Sequence, residues 1–291
     1  MKPMKCVSYN IQYGIGLDKR YDIARIVDAV RGADLIALQE VSRNNPSNQG
    51  RDMPAEIRAL LPDYFSVFGP SFEIDMGSHV KDGKAVDLRF QFGNMILSKT
   101  PILASRNLLL PRRRSIAKMN FQRSALEALV DTPLGPIRFY STHLDHRSPD
   151  ERLMQIRHLM ERVLAYPHEG GGLTGVAEMG FPEPPRPENA VLLGDFNMLP
   201  GSPEYLEMTG SIDHEFGLPL VADKFVDAAA HLKSESHSWV DPERPTDAAR
   251  HKRIDYAFVT ATLAAHLASS HVDIDAQGSD HLPLWLDLAA Q

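Results

Sequence analysis

The short apolar runs of this chain end, one after another, on side chains that hydrogen-bond or ionise. KCVSYNI closes at Asn10, ADLIALQEV at Gln39-Glu40, and the second half of SALEALVDTPLGPIRFYSTHL at Thr142-His143. AVLLG is followed by Asp195 and Asn197, Asp255 opens DYAFVT, and Asp280-His281 precedes LPLWLDLAA. Runs this short and this apolar suit buried strands rather than helices. Stiff strands with polar groups at their ends, and freer loops beyond, are how layered α/β folds build ligand sites.

Between these runs the period changes. DIARIVDAVR puts Ile23, Ile26, Val27 and Val30 at helical spacing, with Gly32 as a stop. A strand, a helix and a strand in the first stretch predict an α/β protein. A helix opened by Pro54 is expected over 54–61, a strand over 93–102, and a hairpin over 124–144 around Pro133-Leu134-Gly135-Pro136. Ser148, Pro149 and Glu151 announce another helix by a capping box, with Leu153, Ile156, Leu159, Met160, Val163 and Leu164 as its apolar face. A short helix from Pro203 and strands over 252–260 and 282–290 complete the pattern. Residues 70–92 are polar and without period, which predicts a long surface loop. Residues 168–189 are rich in glycine and proline, which predicts a surface loop, with a lid or partner-binding insertion as the sharper alternative. No repeat or composition shift divides the chain, so residues 1–291 are expected to form a single domain.

Composition narrows the function classes. Hydrophobic residues make up 43% and charged residues 24% of the chain, ordinary for a globular protein with a sizeable core. The formal net charge of −7 offers no general attraction for a polyanion, which disfavours tight non-specific nucleic-acid binding. Cys6 is the lone cysteine, so no intrachain disulfide is available. The N-terminal stretch lacks a signal-peptide core and no window is apolar enough for a transmembrane helix, so a cytoplasmic protein without an obligate protein partner is expected.

Taken singly, each strand-end residue reads as a turn or cap; Asn197, for instance, suits an Asx-turn before Pro200. Together they read otherwise. The carboxylates Glu40, Asp195, Asp255 and Asp280, the imidazoles His143 and His281, and the amides Asn10 and Asn197 make one kit. Crowded carboxylates repel and need a cation between them, and hard oxygen ligands select Mg²⁺, Mn²⁺ or Ca²⁺ over zinc. A histidine outside the metal shell then supplies charge to a phosphoryl transition state.

These residues carry a resemblance. SYNIQ, LQEV, GNMILSKTPI, THLDHR, GDFN, RIDY and GSDH stand in the order found in the endonuclease/exonuclease/phosphatase superfamily, and the match spans residues 5 to 288. The superfamily includes pancreatic-type deoxyribonuclease, apurinic endonucleases, inositol polyphosphate 5-phosphatases, neutral sphingomyelinases and deadenylases. The resemblance implies a four-layer α/β/β/α sandwich of two packed mixed sheets with outer helices. It also implies Mg²⁺-dependent hydrolysis of a phosphoester or phosphodiester, with Mn²⁺ as a substitute. On this resemblance Glu40, Asn10 and Asp280 are the metal residues, and Asp195 orients or deprotonates the attacking water. Asn197 donates to the phosphate, His281 sits on it with Asp255 fixing its tautomer, and His143 is a second phosphate contact or the proton donor to the leaving oxygen. Asp87 is a candidate partner for His143.

The substrate is less legible. The variable stretches are 43–53, 70–92, 106–123 and 168–189. Arg112, Arg113 and Arg114 are the strong cluster of positive charge, to which Arg89, Lys118 and Arg123 add. They are either solvated or suited to a second phosphate or a nucleic-acid backbone. Trp239 is placed to stack on a base or sugar, or to pack at the rim. The acidic balance, and THLDHR running directly into a capped helix, favour a small or lipid-derived phosphodiester, as on the sphingomyelinase and deadenylase side of the superfamily. A nuclease is the alternative, a phosphomonoesterase a variant of either, and a catalytically dead scaffold the least favoured reading.

Overall fold

A computed structural model describes residues 2–116 and 118–290. The strands in chain order are β1 (Met4–Asn10), β2 (Leu35–Arg43), β3 (Phe65–Asp75), β4 (His79–Lys81), β5 (Lys84–Val86), β6 (Arg89–Ser98) and β7 (Ile102–Leu109), then β8 (Ser124–Thr132), β9 (Gly135–His143), β10 (Ala190–Asp195), β11 (Phe225–Asp227), β12 (Asp255–Thr260), β13 (Leu267–Val272) and β14 (Leu284–Leu288). The helices are α1 (Ile23–Val30), α2 (Met53–Leu60), α3 (Pro149–Glu169), α4 (Pro203–Thr209) and the single turn α5 (Ala228–His231).

Successive side chains on a strand face opposite ways, and here both faces are buried. Cys6, Leu35, Ala37 and Ile96 point into a central core shared with Leu126, Phe139, Val191 and Val259 of the other sheet. Their neighbours Val7, Tyr9, Ile36, Leu38 and Met95 face outward onto Ile26, Val27 and Val30 of α1 and Met53 and Ile57 of α2. Tyr140, Leu192 and Phe258 face outward onto Ile156, Leu159 and Val163 of α3 and Met208 of α4. Three apolar cores therefore separate four layers. One sheet runs β13-β14-β1-β2-β6-β3 and the other β11-β12-β10-β9-β8-β7. Both are mixed: β1 and β2 are parallel, as are β9 and β10, while β12 and β14 run against them. This direction pattern brings the C-terminal ends of β1, β2, β9 and β10 and the N-terminal ends of β12 and β14 to one rim.

Several expectations are corrected. Residues 70–92 are a paired ribbon rather than a loop: β3 and β6 pair out to Asp75 and Arg89, and β4 and β5 close a hairpin beyond them. Its turn is Asp82-Gly83, both with positive φ (52° and 73°), the geometry that an Asp-Gly hairpin turn requires. The capping box at α3 is half formed. Ser148 accepts from the Glu151 amide at 3.2 Å, but the Ser148 amide donates to Asp145 instead, and Glu151 accepts from the Arg113 amide at 3.0 Å. Helix α3 also continues through Pro167 to Glu169, beyond its expected apolar face. Residues 168–189 are otherwise irregular apart from a short 3-10 turn at Val176–Met179. No described helix is long and apolar enough to cross a membrane.

Candidate active site

Register builds the site before any side chain is considered. Asp195 is paired with His143 on one side and Asp255 on the other, so the three sit level across β9, β10 and β12. The close approach at this point demands glycine at 194, where a Cβ would lie 1.9 Å from the Thr142 carbonyl oxygen. In the facing sheet β2 bulges between Leu38 and Val41, and Glu40 sits in the bulge with φ 61°. A left-handed non-glycine residue costs energy, and such strain clusters where a side chain must be aimed.

The two sheets meet through Asn10. Its amide nitrogen donates to Asp195 Oδ2 at 3.0 Å and lies 3.4 Å from Glu40 Oε1, while its Oδ1 accepts from the Gln12 amide. Asp195 Oδ2 is also 3.4 Å from His143 Nε2 and 3.6 Å from His281 Nε2. His281 Nδ1 is bonded to Asp255 Oδ2 at 2.8 Å. The backbone from Asp195 to Asn197 is not extended. The strand stops at Asp195, Asn197 turns left-handed (φ 51°), and its amide N–H donates back to Asp195 Oδ1 at 3.0 Å. The Asn197 side chain donates to the Leu144 carbonyl at 3.2 Å, so it reaches the same rim by an Asx-turn.

Asp280 is held by Trp239 Nε1 at 3.1 Å and by the Ser279 hydroxyl at 3.3 Å. Lys252 lies 5.0 Å above the Trp239 ring and covers one of its faces. Ser238, which no sequence signal marked, accepts the amides of Ile254 and Asp255 and fixes the start of β12. Asp87 does not reach His143: it is exposed and bonded to Ser78 and Arg89. His143 Nδ1 is buried with no hydrogen-bond partner.

Burial and charge set the protonation states. Burial first, then the charges of Asp255 and Glu40, push Asp195 up to about 7, against the opposing pull of His281 and Asn10. Burial raises Glu40, and Asp280 adds to it. The two imidazoles diverge. Burial and the Arg123 charge hold His143 well below its ordinary value, hence neutral. Burial also opposes the charged form of His281, but Asp255 and Asp195 outweigh it and raise His281 well above its ordinary value. Carboxylates destabilised by burial and by one another fit a cation. Asp195, Asp255 and His281 bring ligand atoms within 4.8 Å of one another, Asp255 Oδ1 is buried and unpartnered, and the half-buried Glu40 keeps lone pairs free at the cavity wall.

The rim opens into a cavity of about 1180 Å³. Glu40, His143, Asp195, Asn197, Asp280 and His281 line its base, with Asn10 and Asp255 standing behind them. One wall is Phe72, Phe90 and Phe92 of the ribbon together with Met119 and Phe121; Trp239 lies elsewhere on the lining. Arg123, His146 and Arg147 also line the cavity, whereas Arg112, Arg113 and Arg114 do not. Arg112 is turned onto Asn120, and Arg113 lies beside Asp150. The aromatic wall escaped sequence reading because it stands on the ribbon taken for a loop.

A mixed two-sheet sandwich carrying paired acids, amides and imidazoles at one rim defines a phosphoesterase class. The model of the endonuclease/exonuclease/phosphatase family matches residues 7–281, and the chain belongs to that family of metal-dependent phosphoester hydrolases. No curated protein matches the chain by sequence. Among solved structures, an endonuclease/exonuclease/phosphatase from Beutenbergia cavernae superposes with a TM-score of 0.68 at 22% identity, covering 99% of this chain and 72% of that one. A mannosyl-6-phosphatase from Bacteroides thetaiotaomicron gives 0.60 at 17% identity, covering 99% and 100%. A 3′ phosphatase from Neisseria bound to a product DNA hairpin gives 0.58 at 17% identity, covering 99% and 100%.

Proposed function

We propose that this enzyme is a Mg²⁺-dependent hydrolase of a phosphodiester, small or lipid-derived, cleaved by in-line attack of an activated water. The hydrogen-bonded line Asn10–Asp195 with a neutral His143 and a protonated His281 on either side of it carries the reading. Glu40, Asn10 and Asp280 would hold the metal, with Mn²⁺ as a substitute. Bound there, the metal supplies Lewis acidity to a phosphoryl oxygen and relieves the repulsion among the carboxylates.

Asp195 orients the water and accepts its proton; a carboxylate near 7 is matched to that task. His281 places an imidazolium on the phosphate, fixed by Asp255. Asn197 and Arg123 donate to the phosphoryl oxygens, and removing one such donor typically costs on the order of 10²–10³ in rate. Neutral His143 donates a hydrogen bond to the leaving oxygen.

For the substrate, the wall of Phe72, Phe90, Phe92 and Phe121 beside the polar base supports a leaving group or ester substituent with an apolar part. Lys252 occupies one face of Trp239, and the triple arginine stands outside the cavity, which leaves the nuclease reading with little support. The names of the Bacteroides and Neisseria relatives keep a phosphomonoesterase as the second reading. Nitrophenol release from bis-p-nitrophenyl phosphate and from p-nitrophenyl phosphate, with Mg²⁺ and with EDTA, decides between them. The diester is expected to turn over faster and only with metal; a preference for the monoester would replace the first reading with the second.

A further inference from the structure

Most buried or half-buried arginines here are matched to a carboxylate: Arg106 to Glu127, Arg152 to Glu204, Arg253 to Asp227. Among the described residues the buried Arg123 and Arg138 form no such pair, nor does the exposed Arg147; Arg138 is held by Tyr140 and by backbone carbonyls, whereas Arg123 and Arg147 line the cavity. They are instead clamped on the same imidazole. Arg123 Nη2 lies 3.0 Å from His146 Nδ1, and Arg147 Nε donates to His146 Nε2 at 2.8 Å. Arginine only donates, and a neutral imidazole accepts at one nitrogen alone. Protonating the ring would remove even that acceptor, and burial with the Arg123 charge holds His146 down at about 4. One guanidinium therefore faces a ring N–H, donor against donor.

Arg123 cannot leave. It is 3% exposed, its Nε and Nη1 have no partner, and it lies 4.8 Å over the Phe121 ring, which stacks on His146 at 18°. Arg147 can. Its side chain is exposed, while its backbone is fixed by the amide bond to the buried Asp145.

We propose that Arg147, together with His146, forms a subsite for a second anionic oxygen group of the substrate, a phosphate or carboxylate a few bonds from the scissile phosphorus. The assignment rests on the phosphoesterase reading and narrows its substrate to a phosphoester with two anionic groups, its linking segment lying on Phe121. An anion there removes the mismatch: Arg147 turns its donors from the ring to the anion, and His146 keeps Arg123 as its single donor.

The test uses propylphosphonic acid and propane-1,3-diylbis(phosphonic acid), whose C–P bonds are not hydrolysed, so that it reads binding without turnover. Calorimetric Kd values are measured with saturating Mg²⁺ for the wild-type enzyme and Arg147→Ala. Wild type should bind the bisphosphonate roughly tenfold more tightly than the monophosphonate, the scale of one charge-assisted contact. Arg147→Ala should bring the two to parity and leave the monophosphonate within about twofold of wild type. Equal affinities in wild type, a bisphosphonate advantage that survives Arg147→Ala, or a loss shared equally by both probes would each overturn the subsite. Failure of the phosphoesterase reading shows separately, as absence of nitrophenol release.

Discussion

Asn10, the last residue of β1, donates its side-chain amide to Asp195, the last residue of β10, at 3.0 Å. One sheet thereby fixes the orientation of the carboxylate carried by the other. The same nitrogen is 3.4 Å from Glu40, so one amide spaces the proposed metal residue from the proposed base. Asn10→Ala leaves both carboxylates without it. We expect kcat to fall on the order of 10²-fold or more, with a loss of about 1–3 kcal/mol in folding stability from the unpaired buried acceptor. Steady-state kinetics and denaturant melts check this, and a variant with wild-type kcat would remove Asn10 from the site.

Asp195 separates function from stability. An acid raised in the folded state binds a proton that the unfolded chain releases near pH 3.9. Stability is therefore lost as pH rises from there to the folded value of about 7. Asp195→Asn deletes that cost and keeps an acceptor for Asn10. Hydrolysis should drop by on the order of 10²–10⁴, while the metal-free Tm at pH 8 should match or exceed wild type. A clear fall in Tm would mean that the charge of Asp195 stabilises the fold, contrary to its surroundings.

How much of this was legible follows from where residues lie. The central strands β1, β2, β9, β10 and β12 were readable because both faces are buried, which writes an unbroken apolar run. Within the two six-stranded sheets the strands that sequence patterning left unassigned, β3, β7, β11 and β13, are the edges, and the unassigned β4 and β5 pair outside both. The edge strands β7 and β13 are half-exposed, so their patterns are mixed or polar, while β11 is buried but only three residues long, too short to write a pattern. The rim residues were legible as a set because each ends a central strand. Their fine geometry was legible only in part: the Asx-turn at Asn197 is local and was announced, but the bulge at Glu40 comes from strand pairing, the Asn197 contact with Leu144 is tertiary, and Ser238 acts through backbone amides that no side-chain pattern announces. The aromatic wall was missed for the same reason as its ribbon, although Asp82-Gly83 was a usable turn signal.

His281 gives the opposite pH dependence to Asp195. Its folded value is raised well above the ordinary one by Asp255 and Asp195, against burial. Stability from this pair is complete below about pH 6.5, the unfolded value, and is lost as pH rises through the folded one. In EDTA, the Tm advantage of wild type over His281→Gln should therefore shrink as pH climbs from 6 to 10. Parallel Tm curves would show that His281 is not charged in the folded protein.

The aromatic wall should govern substrate affinity rather than chemistry. Phe121 lies 5.6 Å from Phe92 and 5.9 Å from Phe72, ring centre to ring centre. Phe121→Ala should raise KM for bis-p-nitrophenyl phosphate several-fold, since a buried aromatic contact carries about 0.5–1.5 kcal/mol beyond its area, and leave kcat within about twofold. A fall in kcat with KM unchanged would place Phe121 behind the catalytic groups instead of against the substrate.

Metal dependence has a readout in folding as well as in turnover. A cation that binds the folded protein alone raises Tm by mass action, by about 2.7 kcal/mol at a hundredfold excess over Kd. Mg²⁺ should therefore raise the wild-type Tm and restore nitrophenol release after EDTA. In Glu40→Gln both effects should need at least roughly tenfold more Mg²⁺, the loss of one charge-assisted ligand. Because burial and Asp280 already push Glu40 up, the apo Tm of Glu40→Gln should not fall below wild type. Equal Mg²⁺ requirements in the two proteins would move the metal to the Asp195, Asp255 and His281 group, whose ligand atoms lie within 4.8 Å of one another.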